Sequence, residues 1–218
     1  MRICPLCTKP LGFKEVQGPD ARIYNHCEKC YLIFTATRFQ PTKKEEEKRY
    51  LQHNNGIQHN GHVTFLNKAI KPALEYLKPG MKGLDYGCGP VPTLSRLLEQ
   101  NGYTCDDYDP IFFPELDQDK QYDFIFATEC FEHFFFPAKE LQKIRRLLKE
   151  DGILVIMTEQ WQNLEKFKTW YYAKDSTHVS FYHKRTFGFI ANKSGMNTLF
   201  TDNNRVIIFQ KTKVLSVS

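Results

Sequence analysis

Four cysteines in two pairs carry the plainest chemistry in the sequence: "CPLC" at 4–7 and "CEKC" at 27–30, a CxxC–x19–CxxC array. Two intervening residues let both thiolates of a knuckle reach one tetrahedral ion, and two knuckles make a closed shell of Cys4, Cys7, Cys27 and Cys30. That ligand set predicts structural Zn2+. A closed shell keeps no position for water or substrate, so the ion holds chain segments together, with a binding free energy on the order of 10–16 kcal/mol. The other cysteines, Cys88, Cys105 and Cys130, stand singly and read as packed residues.

"GLDYGCGP" at 83–90 is the second feature with chemical content. Glycine is used where a backbone turns tightly or where something must approach it closely. Here two glycines follow a short apolar strand and precede a helix. In a doubly wound sheet, ligands bind outside the carboxyl ends of the strands, where such a turn opens a crevice. An acidic residue at the end of the next strand would hold ribose hydroxyls, and Asp109 lies there. A nicotinamide dinucleotide would need a third glycine at position 92, and that position is Pro92.

The elements that must position these residues can be read from periodicity. Residues 1–38 form the cysteine module, 39–80 a linker with helices, and 81–218 the main domain. "KKEEEKRY" at 43–50 reads as a helix with a solvated, charged face. Leu66, Ile70, Ala73, Leu74 and Leu77 recur at helical spacing over 62–78, with a kink at Pro72. Further on, a strand at 82–86, a helix through Leu94, Leu97 and Leu98, and strands at 103–109 and 122–128 alternate. A helix follows over 137–152, stopped by Gly152, and then a buried strand at 153–159. A helix after Lys184 and strands near 197–201 and 204–210 complete the pattern. Strands alternating with helices predict a mostly parallel sheet covered on both faces.

In order and spacing, "LDYGCGP", "GYTCDDYDP", "YDFIFATECFEH" and "LLKEDGILVI" resemble the motifs of class I S-adenosylmethionine-dependent methyltransferases. The resemblance covers roughly residues 60–210. It implies an α/β, Rossmann-like sheet of seven strands, mostly parallel, preceded by the zinc-ribbon, and S-adenosylmethionine as cofactor. It places Asp85, Gly87, Cys88 and Gly89 against the methionine end, Asp109 and Pro110 at the ribose, and Thr128 and Glu129 near the reacting sulfur. Val91 replaces the third glycine usual in such motifs, and only 13 residues separate Asp109 from Asp123 where a helix and a strand usually fit. The adenine contact from that stretch falls on Asp117 or Leu116.

Methyl transfer needs a nucleophile held in line with the methyl carbon, sometimes with a base to take its proton. "ECFEHFFFP" sets Glu129, Glu132 and His133 behind the 122–128 strand, and "DSTHVSFYH" brings Asp175, His178 and His183 over the crevice. Histidine titrates near neutrality, which makes His133 and His178 the base candidates. Where amino methyltransferases of flipped bases carry an Asn/Asp-Pro-Pro-aromatic tetrad, this sequence reads "TECF", which disfavours exocyclic amines of adenine or cytosine. "RYLQHNNGIQHNGH" at 49–62 is expected to form a lid over the cofactor through Tyr50, His53 and Asn54; the spacing of His53, His59 and His62 is too irregular for a metal. "WYY" at 170–172 and Phe131 and Phe134–Phe136 are candidates for an acceptor wall.

A net charge of +5 is mildly basic and the ribbon has no dense basic stripe, so a small-molecule acceptor is the expected partner. RNA, as in ribosomal-RNA methyltransferases with a zinc-ribbon, and a non-catalytic binding protein on the same fold are the alternatives. No apolar run is long enough for a membrane span or a signal peptide, and the reduced cysteines suit a cytoplasmic location.

Overall fold

The computed structural model describes residues 3–10, 14–52 and 55–212. Three short strands come first, β1 (Lys14–Gln17), β2 (Ile23–His26) and β3 (Ile33–Thr35). Helix α1 (Lys43–Tyr50) starts at a capping box in which Thr42 and Glu45 satisfy each other's backbone N–H groups. Helix α2 (Asn60–Ala73) ends in the turn that contains Pro72, several residues before the expected 78. Strand β4 (Lys82–Tyr86) leads into α3 (Thr93–Gln100), which buries Leu94, Leu97 and Leu98, and then into β5 (Thr104–Tyr108).

Beyond β5 come β6 (Tyr122–Thr128), α4 (Pro137–Leu147) and β7 (Leu148–Met157). The helix expected to reach Gly152 stops at Leu147, because Leu148 already pairs with Tyr122 of β6. Next are α5 (Leu164–Phe167), β8 (Ser180–Phe181), α6 (Lys184–Ser194), β9 (Met196–Thr201) and β10 (Val206–Lys211). Gly195 caps α6 in the left-handed conformation that ends helices without a Cβ penalty.

The main sheet has the order β5-β4-β6-β7-β10-β9. Strands β5, β4, β6 and β7 are parallel neighbours, and β10 runs antiparallel to both β7 and β9. Among the described residues it has six strands, not the expected seven. The strand that would lie outside β5 is missing because the short 109–121 connection closes on itself through an Asp109–Phe113 bridge. A crossover between parallel strands takes a dozen or more residues, so this segment cannot hold a helix, a strand and a second crossover.

Period-two alternation sends Ile125 and Ala127 to one face of β6 and Phe124 and Phe126 to the other. Helices α2 and α3 cover the Phe124 face, and α4 and α6 cover the Ile125 face. The cysteine module joins the second core through Leu6 and Leu32. Its sheet continues beyond residue 38, since β3 pairs with β8 in the order β1-β2-β3-β8. A third cluster of Tyr24, Ile33, Trp161, Phe167, Tyr172 and Phe181 packs that junction. No helix among the described residues is long and apolar enough to cross a membrane.

Candidate active site and cysteine centre

The four cysteines of the two knuckles are buried and unpaired by disulfide. Each knuckle closes through a residue with positive φ: Thr8 N–H donates to Cys4 O at 3.0 Å, and Tyr31 N–H to Cys27 O at 2.7 Å. Cys4 Sγ lies 3.6 Å from Cys30 Sγ, and Cys7 Sγ 3.7 Å from Cys27 Sγ. Four thiolates about 2.3 Å from a central ion define a tetrahedron with edges of about 3.8 Å. The donor set therefore fits one metal ion, and all four sulfurs lie within 4.8 Å of one another.

A cavity of about 660 Å³ opens at the carboxyl ends of β4, β5 and β6, within the usual range for a small-molecule site. Its lining includes Asp85, Gly87, Cys88, Gly89, Asp109 and Pro110 from the β4 and β5 ends, together with Thr128, Glu129, His133 and His178. Asp85, Gly87, Cys88, Gly89, Asp109, Pro110, Thr128, Glu129 and the base candidates His133 and His178 thus reach one cavity, whereas His183, expected over the crevice, caps the start of α6 instead.

The turn is shaped for close approach. Gly87 and Gly89 have φ of +85° and +68°, in the left-handed region that side chains rarely adopt. A Cβ on Gly87 would fall 2.6 Å from the Cβ of Cys130, whereas one on Gly89 would meet nothing within 4 Å. Asp109 braces the turn: its Oδ2 accepts from Gly89 N–H at 3.2 Å, and its Oδ1 from Ile111 and Phe112 N–H at 2.8 and 3.1 Å. Asp85 is 2% exposed and its Oδ1 has no hydrogen-bond partner. Burial, and next the charges of Asp107 and Asp109, push its carboxyl well above the usual range. A buried acceptor without a donor costs about 1–3 kcal/mol, and it sits beside a cradle with room for a ligand. These features fit S-adenosylmethionine, whose ammonium and ribose hydroxyls are donors.

The opposite side is a network of polar groups. Glu129, at φ +49°, pairs with Arg205 at 2.9 Å, and Arg205 also pairs with Glu159. Fully buried Glu132 accepts from Tyr172 OH at 2.6 Å and Thr158 OH at 2.8 Å. Burial raises the pKa of both glutamates, and the negative charge of Glu132 adds to the rise at Glu129. His133 and His178 meet edge to face with ring centroids 4.9 Å apart. His133 Nδ1 faces Thr177 O at 3.0 Å and His178 Nδ1 faces Tyr172 O at 2.7 Å. A carbonyl can only accept, so each Nδ1 carries the proton and each Nε2 keeps its lone pair. Burial lowers the pKa of His133 to about 4 and, with the charge of His133, that of His178 to about 3. Both rings are neutral at pH 7.

The cysteine module holds the segment that carries His178. Arg22 donates to Asp175 O at 3.0 Å, His178 O at 3.1 Å, Ser176 O at 3.3 Å and also Ala173 O. Tyr24 OH reaches Ala173 O at 3.2 Å, and Thr35 N–H donates to Val179 O at 2.9 Å.

Other expectations fare differently. Helix α1 is not simply a solvated face: Lys43, Glu46 and Tyr50 line the cavity, and burial pushes the Glu46 carboxyl up to about 7. The 43–50 charge run hid this, because only one helical stripe, i, i+3 and i+7, turns inward. His53 and Asn54 lie outside the described residues. Phe134, Phe135 and Phe136 line the cavity, but Phe131 is core, and Trp170 and Tyr172 pack in the third cluster. Leu116 and Asp117 line a different pocket, while Pro110 and Ile111 reach the main one.

Residues 32–199 match the family model of a methyltransferase domain. The chain belongs to that methyltransferase family and is an enzyme of the S-adenosylmethionine-dependent class. Among solved structures it resembles an S-adenosylmethionine-dependent methyltransferase of Methanosarcina mazei, with 16% identity over 66% of this chain and 98% of that one, TM-score 0.50. It also resembles the YcgJ protein of Bacillus subtilis, with 12% identity over 70% and 100%, TM-score 0.51. The PH0226 protein of Pyrococcus horikoshii aligns with 16% identity over 76% and 99%, TM-score 0.51. At these identities the likeness is one of fold. No curated protein matches the chain in sequence.

Proposed function

We propose that this enzyme transfers a methyl group from S-adenosylmethionine to a small molecule, with Zn2+ held by Cys4, Cys7, Cys27 and Cys30 as a structural ion. The observation that carries the reading is the buried Asp85 carboxyl, whose Oδ1 has no partner, beside the glycine turn open at Gly89 in a cavity of about 660 Å³. Asp85, Gly87, Cys88 and Gly89 would hold the methionine end, Asp109 and Pro110 the ribose, and Thr128 and Glu129 the region of the sulfur. When bound, S-adenosylmethionine supplies an electrophilic methyl group on a sulfonium sulfur.

The residues of the chain orient that group and the acceptor. The aromatic wall of Tyr50, Phe134 and Phe136 suits a compact acceptor better than a polynucleotide, which would need a basic track. His133 and His178 present neutral lone pairs on the acceptor side. Their depressed basicity makes them hydrogen-bond acceptors for a hydroxyl or amine proton more than strong bases. Calorimetric titration of zinc-loaded protein with S-adenosylmethionine and S-adenosylhomocysteine tests the reading, beside Asp109→Ala. Removing this carboxylate should cost about 2–4 kcal/mol, roughly 30- to 1000-fold in affinity. Absence of binding to the wild type would refute it.

A further inference from the structure

Glu132, His133 and His178 come from two segments 45 residues apart and converge on the cavity, with one donor atom of each within 4.8 Å of the others. We propose that these three residues form a second metal site, distinct from the cysteine centre, that binds a divalent transition-metal ion and through it an oxygen atom of the methyl acceptor. This inference rests on the methyltransferase reading of the same cavity.

Three features of the geometry carry it. The first is the orientation of the imidazoles. A ligating histidine characteristically donates its other ring N–H to a carbonyl or carboxylate, which fixes the tautomer and directs the lone pair at the metal. Both histidines here do so, His133 to Thr177 O at 3.0 Å and His178 to Tyr172 O at 2.7 Å. The second is Glu132. Its oxygens accept one hydroxyl each, from Tyr172 and from Thr158, and one backbone N–H, its own, which leaves a lone pair on at least one oxygen. A buried carboxylate held in this way matches the hydrogen-bonded ligand carboxylates of metal sites.

The third is the donor set. Two imidazoles and one carboxylate suit first-row transition ions such as Fe2+, Co2+ or Zn2+, and leave further coordination positions open. Bonds of about 2.0–2.2 Å require the donors to draw closer than 4.8 Å, which side-chain rotation provides. Open positions toward the cavity would receive an acceptor hydroxyl. A metal lowers the pKa of a bound hydroxyl; its O–H bond breaks, the electron pair stays on oxygen and the proton passes to water.

The test is a titration of the full chain, with zinc already in the cysteine site, by Co2+, read by calorimetry and visible absorption. Nitrogen and oxygen ligation of Co2+ is spectroscopically distinct from thiolate ligation, so displacement at the cysteine centre is recognised. One equivalent should bind without thiolate charge-transfer bands. His133→Gln and His178→Gln should each weaken binding at least tenfold, and S-adenosylhomocysteine affinity, measured on the same samples, should stay within about threefold. Because Glu132 is fully buried and its replacement risks misfolding, the histidine variants decide. Absence of Co2+ binding to a wild type that binds S-adenosylhomocysteine overturns the metal site and leaves the methyltransferase reading intact. Binding that both histidine variants retain overturns it as well. Co2+ binding without S-adenosylhomocysteine binding would overturn the reading on which the inference rests.

Discussion

The turn at 87–89 and the loop at 173–181 reach the same cavity, but they are held there in different ways. The turn hangs between two adjacent parallel strands, and its brace, Asp109, lies at the end of the neighbouring strand. The loop has little regular structure of its own. Its carbonyls are taken up by Arg22, Tyr24 and Thr35, which lie about 150 residues earlier in the cysteine module. One wall is a local product of the strand-turn-helix unit. The other depends on the four-cysteine module, whose strand β3 pairs with β8. The cysteine module therefore holds in place a segment that lines the cavity, though none of its own described residues reaches it.

Removing the metal should break this comparison most forcefully. Chelation, or Cys7→Ser, removes a binding free energy on the order of 10–16 kcal/mol from the module. Amide exchange should rise throughout 14–35 and 173–181 and change little over 82–109. A uniform rise would show that both walls share one support. Arg22→Ala should act more narrowly. Its guanidinium fork serves four carbonyls, and its loss should cost roughly 2–4 kcal/mol of stability by denaturant titration. Exchange should rise at 173–178, with S-adenosylhomocysteine affinity unchanged. Lysine at 22 should restore only part of the effect, since it cannot reproduce the fork.

Two carboxyls sharpen the contrast through pH. Burial raises the pKa of Asp175, but hydrogen bonds from Thr177 and Arg49 outweigh this and hold it well below the usual range. A depressed folded-state pKa contributes stability above the unfolded value of about 3.9 and loses it as pH falls further. Asp175→Asn should therefore cost about 1–3 kcal/mol at pH 7 and progressively less below pH 4. Asp85 behaves oppositely. Its raised folded-state pKa means that folding retains a proton the unfolded chain releases, so its contribution worsens as pH rises from about 4. Asp85→Asn should stabilise the ligand-free protein by about 1 kcal/mol at pH 7, have no such effect below pH 4, and weaken cofactor binding. Thermal unfolding of both variants across pH 3–8 checks the opposite signs.

How far each wall was legible in the sequence follows from the same difference. The glycine turn, Asp109 and the knuckles are encoded by residue type at short spacing, and the missing seventh strand was foreshadowed by the short interval between Asp109 and Asp123. His133 and His178 could be named as candidates, but their ring contact could not be read, because it depends on β3 docking against β8. Arg22 is one of several scattered charges in residues 1–38, and nothing in its sequence position marks its role. Glu46 was masked by a charge run whose inward stripe only the tertiary setting selects. The end of α4 was misplaced because Leu148 continues the apolar helical spacing while already belonging to β7.

The division of the cavity into a cofactor wall and an acceptor wall is tested most directly by hydrogen-deuterium exchange of the zinc-loaded protein with and without saturating S-adenosylhomocysteine. Protection should appear at 85–91 and 109–112, leaving 173–181 unchanged. Protection confined to 173–181, with none at the glycine turn, would contradict it.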